Sequence, residues 1–567
     1  MHPAVFICRS RGRAVRAWCV PPTLRGYRAA WLGADALAGL SLMAVALPSQ
    51  MATAVLANMP VVAGLFAFVA GSLLYAVLGR NRHLSVGADS TIAPVLATGV
   101  ASIAVVGTAG YVTAMAFTAL LVGAVLIAVG LFRLGWIAEF LSTPVIAGVL
   151  AGIAVEIIVR QIPVILGIPA GTGSTIDRLH HVVTDVGQVN GWSLLIALGV
   201  LTVIIAFQRV SRRLPGALIA LVVSVIAVKA FGLSADHGVA LVGAVHGGLP
   251  RVRLPTVSWS QLRRLPAPVL TVAFLCIAQT AASVRSARSA TADVVGFNRD
   301  LVAIGAGSLG AGMIGSFAVD ASPPNSAVSA SAGSRSQLTN IFAALAVLVV
   351  VLAFSGALAD IPEATLGATL VFIAAKLFRV GELRAILRFD RLEFALATIT
   401  LLVVALVGIE QGVLAALILS LADRTRRSAR PQDAVLGREP GTDHWVPLDV
   451  GQPTEQVPGI LVYRVYAPLW YGNADYLRVR IGQLVEGSPE PVKAVILDAG
   501  GISDIDYTGL QALRSLALDL ERRGTVVAVA RASKLVHHDL KHGALLEQLG
   551  RDHLFASVDE AVVALCE

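Results

Sequence analysis

The sequence predicts an α-helical polytopic membrane protein, fourteen spans arranged as a 7+7 inverted repeat with half-helices at spans 3 and 10, followed by a C-terminal α/β domain. Three observations predict it. The chain of 567 residues is 56% hydrophobic and only 14% charged, with a mean hydropathy of +0.76, more apolar surface than a water-soluble fold can hide. The charge is also split: residues 1–429 hold 31 Lys/Arg against 17 Asp/Glu, whereas residues 430–567 hold 13 against 19, so a lipid-embedded stretch precedes a domain of ordinary soluble composition. Finally, two apolar runs are short and polar at their start, and each is third in its group of seven. Interrupted spans at matching positions point to a site between two broken helices.

The elements follow in order. Residues 1–30 carry six Arg and no acid. A transit peptide fits this poorly, because the next apolar segment has full spanning length and no cleavage pattern; a cytoplasmic basic tail is expected instead. From residue 31 to 424 the chain alternates apolar runs with short polar breaks, and a helix needs about 20 residues to cross the hydrocarbon. The spans are expected to start near Trp31, Val61, Asp89, Tyr111, Ile137, Trp192 and Pro215, then near Pro268, Leu301, Pro323, Thr339, Glu363, Arg391 and Glu410. The short ones are Asp89 to about Val100 and Pro323 to about Ala332, with the local echo Ala88-Asp89-Ser90 against Val319-Asp320-Ala321-Ser322. Basic clusters at Arg9 to Arg28, Arg80/Arg82, Arg209/Arg212/Arg213, Arg285/Arg288, Arg379 to Arg391 and Arg424 to Arg430 fall on one side if both termini are cytoplasmic. The stretch 232–267, with Arg251, Arg253, Arg263 and Arg264, runs against that assignment.

After residue 424 a linker and the start of the cytoplasmic domain (425–457) lead to the α/β domain (458–567). Strands are expected at Gly459–Tyr466, Val492–Asp498 and Thr525–Ala530, separated by helices near Ala474–Val485, Tyr507–Arg523 and Ser533–Leu549. Cys8, Cys19, Cys276 and Cys566 have neither ligand spacing nor a disulfide pattern. No Walker A or metal motif is present, so enzymatic activity, a resident cofactor and a metal are not expected.

Several motifs together resemble the SulP (sulfate permease) anion transporters: Gly79-Arg-Asn-Arg-His-Leu-Ser-Val-Gly87, Phe140-Leu-Ser-Thr-Pro-Val-Ile-Ala-Gly148, Phe297-Asn-Arg-Asp-Leu-Val-Ala-Ile-Gly305 and Gly408-Ile-Glu-Gln-Gly412. The tail resembles a STAS domain, through Val465-Tyr-Ala-Pro-Leu-Trp-Tyr-Gly-Asn-Ala474 and Ile496-Leu-Asp-Ala-Gly-Gly-Ile-Ser-Asp-Ile-Asp506-Tyr-Thr-Gly-Leu510. The resemblance implies secondary transport of a small inorganic anion, of sulfate or bicarbonate type, across the bacterial inner membrane by alternating access. Spans 1–4 and 8–11 would move against the other spans in a homodimer supported by the cytoplasmic STAS domain. Nucleic acid is not an expected partner. An anion channel or uncoupled exchanger, and a sensor signalling through STAS, are the alternatives.

A desolvated anion needs compensation, and a helix N-terminus supplies unpaired N–H groups and about half a positive charge. Ser322-Pro323-Pro324 reads as an N-cap followed by proline in the first turn, and Ser90 or Thr91 as the cap of the other half-helix. Against the family pattern Ser322 is kept, Pro324 and Asn325 take the next two matching positions, and Ser326 follows; the arginine of that pattern is absent. At the eighth span Gln279 stands where ion-coupled members carry an acid, with Ser283 one turn on; the amide serves either as a ligand or as a link between helices. In the first span Gln50 and Thr53, beside Pro48, are expected to share a substrate-side face, the alternative being a kinked packing helix. Asp89 is either a capping carboxylate or the group coupling H+ or Na+ to the anion; Asp320 ranks below it, as a residue of exposed extended chain. Glu139, Glu156 and Glu410 read as interfacial or paired, and Gly148 with Gly152 as a packing motif. In the STAS domain Thr508 matches a phosphorylatable position and could cap the helix there; the plainer reading is a folding and dimer-supporting module.

Overall fold

The computed structural model describes the chain except residues 1–26, 137–141, 170–174, 211–214, 244–247, 289–295, 449–452, 544 and 567. Ile137 and Glu139 lie outside the described residues. The chain divides into two compact units, Met1–Ser420 and Leu421–Glu567.

The first unit is helical. Its first half comprises α1 (Leu32–Leu56), α2 (Val61–Leu78), the short strand β1 (Val86–Gly87), α3 (Ala93–Ala101), α4 (Ala109–Leu131), α5 (Thr143–Leu166), the short α6 (Thr175–Thr184), α7 (Gly191–Val210) and α8 (Gly216–Ala230). Two one-turn helices, α9 (Leu233–His237) and α10 (Trp259–Leu262), lead to the second half. That half comprises α11 (Pro266–Arg288), α12 (Phe297–Met313), β2 (Asp320–Ala321), α13 (Pro323–Ser331), α14 (Leu338–Ala353), the short α15 (Ser355–Ala359), α16 (Glu363–Leu377), the short α17 (Val380–Phe389), α18 (Arg391–Leu406) and α19 (Ile409–Ala429). Among the described residues, five helices are long and apolar enough to cross a membrane by length and composition, with three shorter apolar ones at α8, α11 and α14. The two strand-plus-half-helix units, β1–α3 and β2–α13, occur once in each half.

Helix starts follow local chemistry. Pro323 opens α13, where a missing N–H costs nothing. Asp390 caps α18 by accepting the Leu392 N–H at 2.7 Å. Helix pairs approach closely through glycine. Gly123 and Gly305 face each other across α4 and α12, and a Cβ on either would meet the other's carbonyl oxygen. Gly148 and Gly152 let α5 lie against α18, where a Cβ at Gly148 would collide with the Ala397 carbonyl. Gly148→Leu is therefore expected to lower stability by about 1–3 kcal/mol, the usual cost of overpacking, measured as a drop in the midpoint of thermal unfolding.

Buried carboxylates tie loops to helices. Asp35 of α1 accepts from Arg335 N (2.7 Å), Ser336 N (3.2 Å), Ser336 Oγ (2.6 Å) and Thr339 Oγ1 (3.1 Å). Asp300 of α12 accepts from the Tyr75 hydroxyl (2.8 Å) and from the Arg80 and Asn81 amides. Glu156 lies well inside α5 and pairs with Arg160, which also donates to Thr98 of α3.

The second unit is an α/β layer structure with a six-stranded sheet of order β4-β3-β5-β6-β7-β8. The strands are β3 (Asp433–Arg438), β4 (Trp445–Pro447), β5 (Ile460–Val465), β6 (Ala494–Asp498), β7 (Val526–Ala530) and β8 (Leu554–Phe555). Strands β5 to β8 run parallel, and β3 and β4 add antiparallel edges. Alternation along the strands splits the core into two faces. Tyr463, Val465, Val495, Leu497 and Val529 pack with α20 (Ala474–Glu486), α21 (Tyr507–Arg522), α22 (Lys534–His542) and α23 (Leu545–Leu549). Val462, Ile496 and Ala528 pack with α24 (Val558–Cys566) on the other face. The three expected strands are present; β3 and β4 fall within the stretch read as linker and start of the cytoplasmic domain, and the helix expected over Ser533–Leu549 is two helices, the first capped at Gly543.

Candidate anion site

Strands β1 and β2 pair antiparallel, Val86 opposite Ala321 and Gly87 opposite Asp320. Each strand feeds a half-helix, so opposite chain directions make the N-terminal ends of α3 and α13 converge. Helices α1 and α11 pack against this crossing. The sequence-predicted residues Gln50, Thr53, Asp89, Ser90, Gln279, Ser283, Ser322 and Asn325 are all buried in this unit, and Ser326 is half-buried on α13.

The α3 end differs from expectation. The helix begins at Ala93 with Ile92 in the N-cap position, so neither Ser90 nor Thr91 is the cap and Asp89 precedes the helix. Residues 89–92 form a turn organised by Asp89. Its Oδ1 accepts the Thr91 N–H at 2.8 Å and the Thr91 hydroxyl at 2.5 Å, and its carbonyl accepts the Ala93 N–H at 3.2 Å. A carboxylate two residues before a donor imitates a cap locally, which is why the sequence places the helix start too early.

The α13 end places Ser322 in the N-cap position, as expected, but its side chain makes no capping bond. Pro324 stands where a capped N–H would be. Because Pro323 and Pro324 carry no N–H and the Ser326 N–H goes to the Ser322 carbonyl, the first amide of this end is that of Asn325. The Asn325 side-chain nitrogen is buried without a hydrogen-bond partner. Donor capacity at α13 is thus concentrated in one residue.

The remaining side chains divide into those that hold the crossing and those that line it. Gln50 clamps Ala88 at both ends of its amide: Nε2 donates to the Ala88 carbonyl (2.9 Å) and Oε1 accepts the Ala88 N–H (2.7 Å). Thr53 donates to the Ser49 carbonyl of its own helix at 2.8 Å. Ser326 Oγ donates to Ser322 O (2.8 Å) and accepts the Ser85 N–H (2.9 Å), binding α13 to the approach to β1. Gln337 Nε2 supports that approach by donating to Asn81 O and Leu84 O, both at 2.8 Å. Gln279 of α11 donates to the Thr91 hydroxyl, which links α11 to the Asp89 turn. Ser283 lies one turn further along α11.

Asp320 departs most from its sequence reading. It is fully buried rather than exposed, because extended chain that pairs with a partner strand at the centre of a helical unit has no access to water. Its Oδ1 accepts the Ala321 N–H at 2.6 Å and the Thr280 hydroxyl at 3.4 Å. Thr280, absent from the sequence-predicted set, sits beside Gln279 on α11. The echo of Asp89 and Asp320 in the two repeats was the signal that could have marked both. Among the described residues no Lys or Arg is fully buried in the unit.

In the second unit Thr508 is exposed at the second position of α21. It is not the cap. Asp506 precedes the first helical residue and accepts the Gly509 N–H at 2.7 Å, its other oxygen taking the Tyr471 N–H at 2.9 Å.

The sulfate permease family model matches residues 32–400, and the STAS domain model residues 452–561. A probable sulfate transporter of Mycobacterium tuberculosis is 36% identical over 540 residues, covering 95% of this chain and 96% of that one. Among solved structures, the murine solute carrier 26 member A9 anion transporter, described as inward-facing, superposes with a TM-score of 0.89 at 21% identity over 99% of this chain and 96% of that chain. The transmembrane domain of a cyanobacterial bicarbonate transporter matches with a TM-score of 0.62 at 23% identity, over 70% of this chain and 98% of that chain.

Proposed function

This chain belongs to the sulfate permease family and ends in a STAS domain, and from that premise we propose that it carries a small oxyanion of sulfate or bicarbonate type across the bacterial inner membrane by alternating access. The family consists of transporters, not enzymes. Two observations support the site assignment: the antiparallel β1–β2 pairing, which each half-helix follows, and the buried, unpartnered side-chain nitrogen of Asn325 in the first turn of α13. The anion sits between the two half-helix ends and accepts from the Asn325 amides, with Ser90, Ser322, Gln279 and the α1 face of Thr53 around it. Gln50 and Ser326 hold the frame. Asp89, with Ser283 on α11, couples the anion to H+ or Na+; no resident cofactor takes part. The chain works as a homodimer with its termini and STAS domain in the cytoplasm. Thr508 is exposed for phosphorylation, and a phosphate there would stand beside the Asp506 carboxylate.

Without a fixed cation, hydrogen bonds carry the recognition, each to a charged group contributing about 1.5–3 kcal/mol. Asn325→Ala is therefore expected to raise the KM for the anion about tenfold or more. The test is uptake of labelled sulfate, bicarbonate, chloride and fumarate into proteoliposomes holding the full chain, with proton and sodium gradients applied separately. Saturable uptake of an oxyanion whose KM rises in Asn325→Ala supports the reading. Ohmic chloride current, or an unchanged KM, overturns it.

A further inference from the structure

Two carboxylates stand at the strand crossing, one in each repeat. Asp320 lies in β2 opposite Gly87, and Asp89 follows Gly87 by two residues. Both side chains are buried, on chain that the β1–β2 register holds side by side. Each Oδ1 takes two donors, that of Asp320 from the Ala321 N–H and the Thr280 hydroxyl, and the two acids differ at Oδ2. Asp89 Oδ1 takes two donors from Thr91, a setting that suits an ionised carboxylate. Asp320 Oδ2 is buried without a hydrogen-bond partner within normal reach, and the donor that faces this carboxyl is the weak one of the Cys276 thiol. A buried ionised oxygen without a strong donor, beside a second negative charge, is among the most costly arrangements a membrane interior can hold. The titratable groups facing Asp320 are Asp89 and, from α11, the Cys276 thiol; α11 adds Thr280, α12 adds Ser308, and α1 reaches the crossing with Gln50. Among the described residues no Lys, Arg or His forms an ion pair with either acid.

We propose that Asp89 and Asp320 form a carboxyl–carboxylate pair holding one exchangeable proton on Asp320 Oδ2, and that this proton travels with the anion. The proposal rests on the anion site assigned above. An anion entering beside two carboxylates meets one negative charge fewer when the pair is protonated. The proton comes from water on the side to which the site is open, forms an O–H bond at Asp320, and returns to water on the other side when the anion leaves. No covalent bond to the anion forms. A proton fits better than Na+, because the Thr91 and Thr280 hydroxyls already donate to the Oδ1 atoms and the Asp320 oxygen left over is buried.

The pair is tested on the purified full-length protein by infrared titration of the C=O stretch of protonated carboxyl groups, which needs no transport. The wild-type minus Asp320→Asn difference spectrum is expected to contain one protonated carboxyl at neutral pH, and in Asp89→Asn that band is expected to vanish at a different pH. A null difference for Asp320→Asn, no shift in Asp89→Asn, or a band whose titration follows Na+ concentration overturns the pair. In proteoliposomes, the ratio of labelled sulfate or bicarbonate uptake with an acid outside to uptake without a gradient is expected to fall in Asp320→Asn from about tenfold to about one. A retained ratio overturns the coupling. If the wild-type chain moves no anion in any arm, the transport reading fails, while the infrared result still decides whether the proton pair exists.

Discussion

Replacing Gln50 by Ala is expected to lower transport about a hundredfold, the scale on which catalysis responds to a misplacement of about 1 Å, and to lower the unfolding midpoint as well. The amide makes two bonds to one residue, Ala88, immediately after β1. Removing it leaves a buried N–H and a buried C=O without partners, at about 1–3 kcal/mol each. Ala88 is also the residue from which the chain enters the Asp89 turn, so the loss is transmitted directly to the N-terminal end of α3. Gln50→Glu separates the two effects. An ionised carboxylate still accepts the Ala88 N–H but cannot donate to the Ala88 carbonyl, so half of the clamp survives. Uptake and thermal unfolding measured in both variants should rank wild type above Gln50→Glu and Gln50→Glu above Gln50→Ala. Wild-type uptake in Gln50→Ala, with a normal unfolding midpoint, would sink the assignment of this residue as a frame member.

That assignment was not legible in the sequence, and the reason is physical. Gln50 stands on a helix face that looks substrate-facing by spacing, but its partner lies 38 residues away on irregular chain, and periodicity carries no information about such a contact. Helix starts were legible where the local chemistry is decisive, as at Pro323, Glu363 and Arg391. The start of α3 was misplaced because Asp89 bonds to Thr91 in the manner of a cap without being one. Asp320 was misjudged for a related reason: an extended residue reads as exposed unless its strand partner is known, and that partner, Gly87, is 233 positions earlier. In the STAS domain β5, β6 and β7 announced themselves as apolar runs, whereas the two-residue β8 did not, and Asp433–Arg438 alternates weakly and is a strand only because β5 and β4 pair with it. The family and the two broken helices were readable, because proline, polarity and span length are local properties. The division of labour between holding and binding residues was not, because it is decided by which hydrogen bonds are already spent.

Asp89→Asn is expected to remove the response to an ion gradient. Asparagine keeps an oxygen that accepts the Thr91 N–H and hydroxyl, so the turn before α3 is retained and the unfolding midpoint should stay within a few degrees; only the charge is lost. Uptake with and without a proton or sodium gradient should then become equal. The pH dependence gives an independent reading of the same step. If the anion binds the protonated pair, binding takes up a proton, and by linkage the apparent Kd must rise with pH above the range in which the pair titrates, by at most about tenfold per unit for one proton. Asp89→Asn removes one of the two acids but leaves Asp320, so the slope should become shallower and its pH range should shift. Counterflow of labelled anion measured across the pH range in both proteins checks it. A slope in Asp89→Asn equal to that of the wild-type chain, over the same pH range, would show that the charge of Asp89 does not govern the anion.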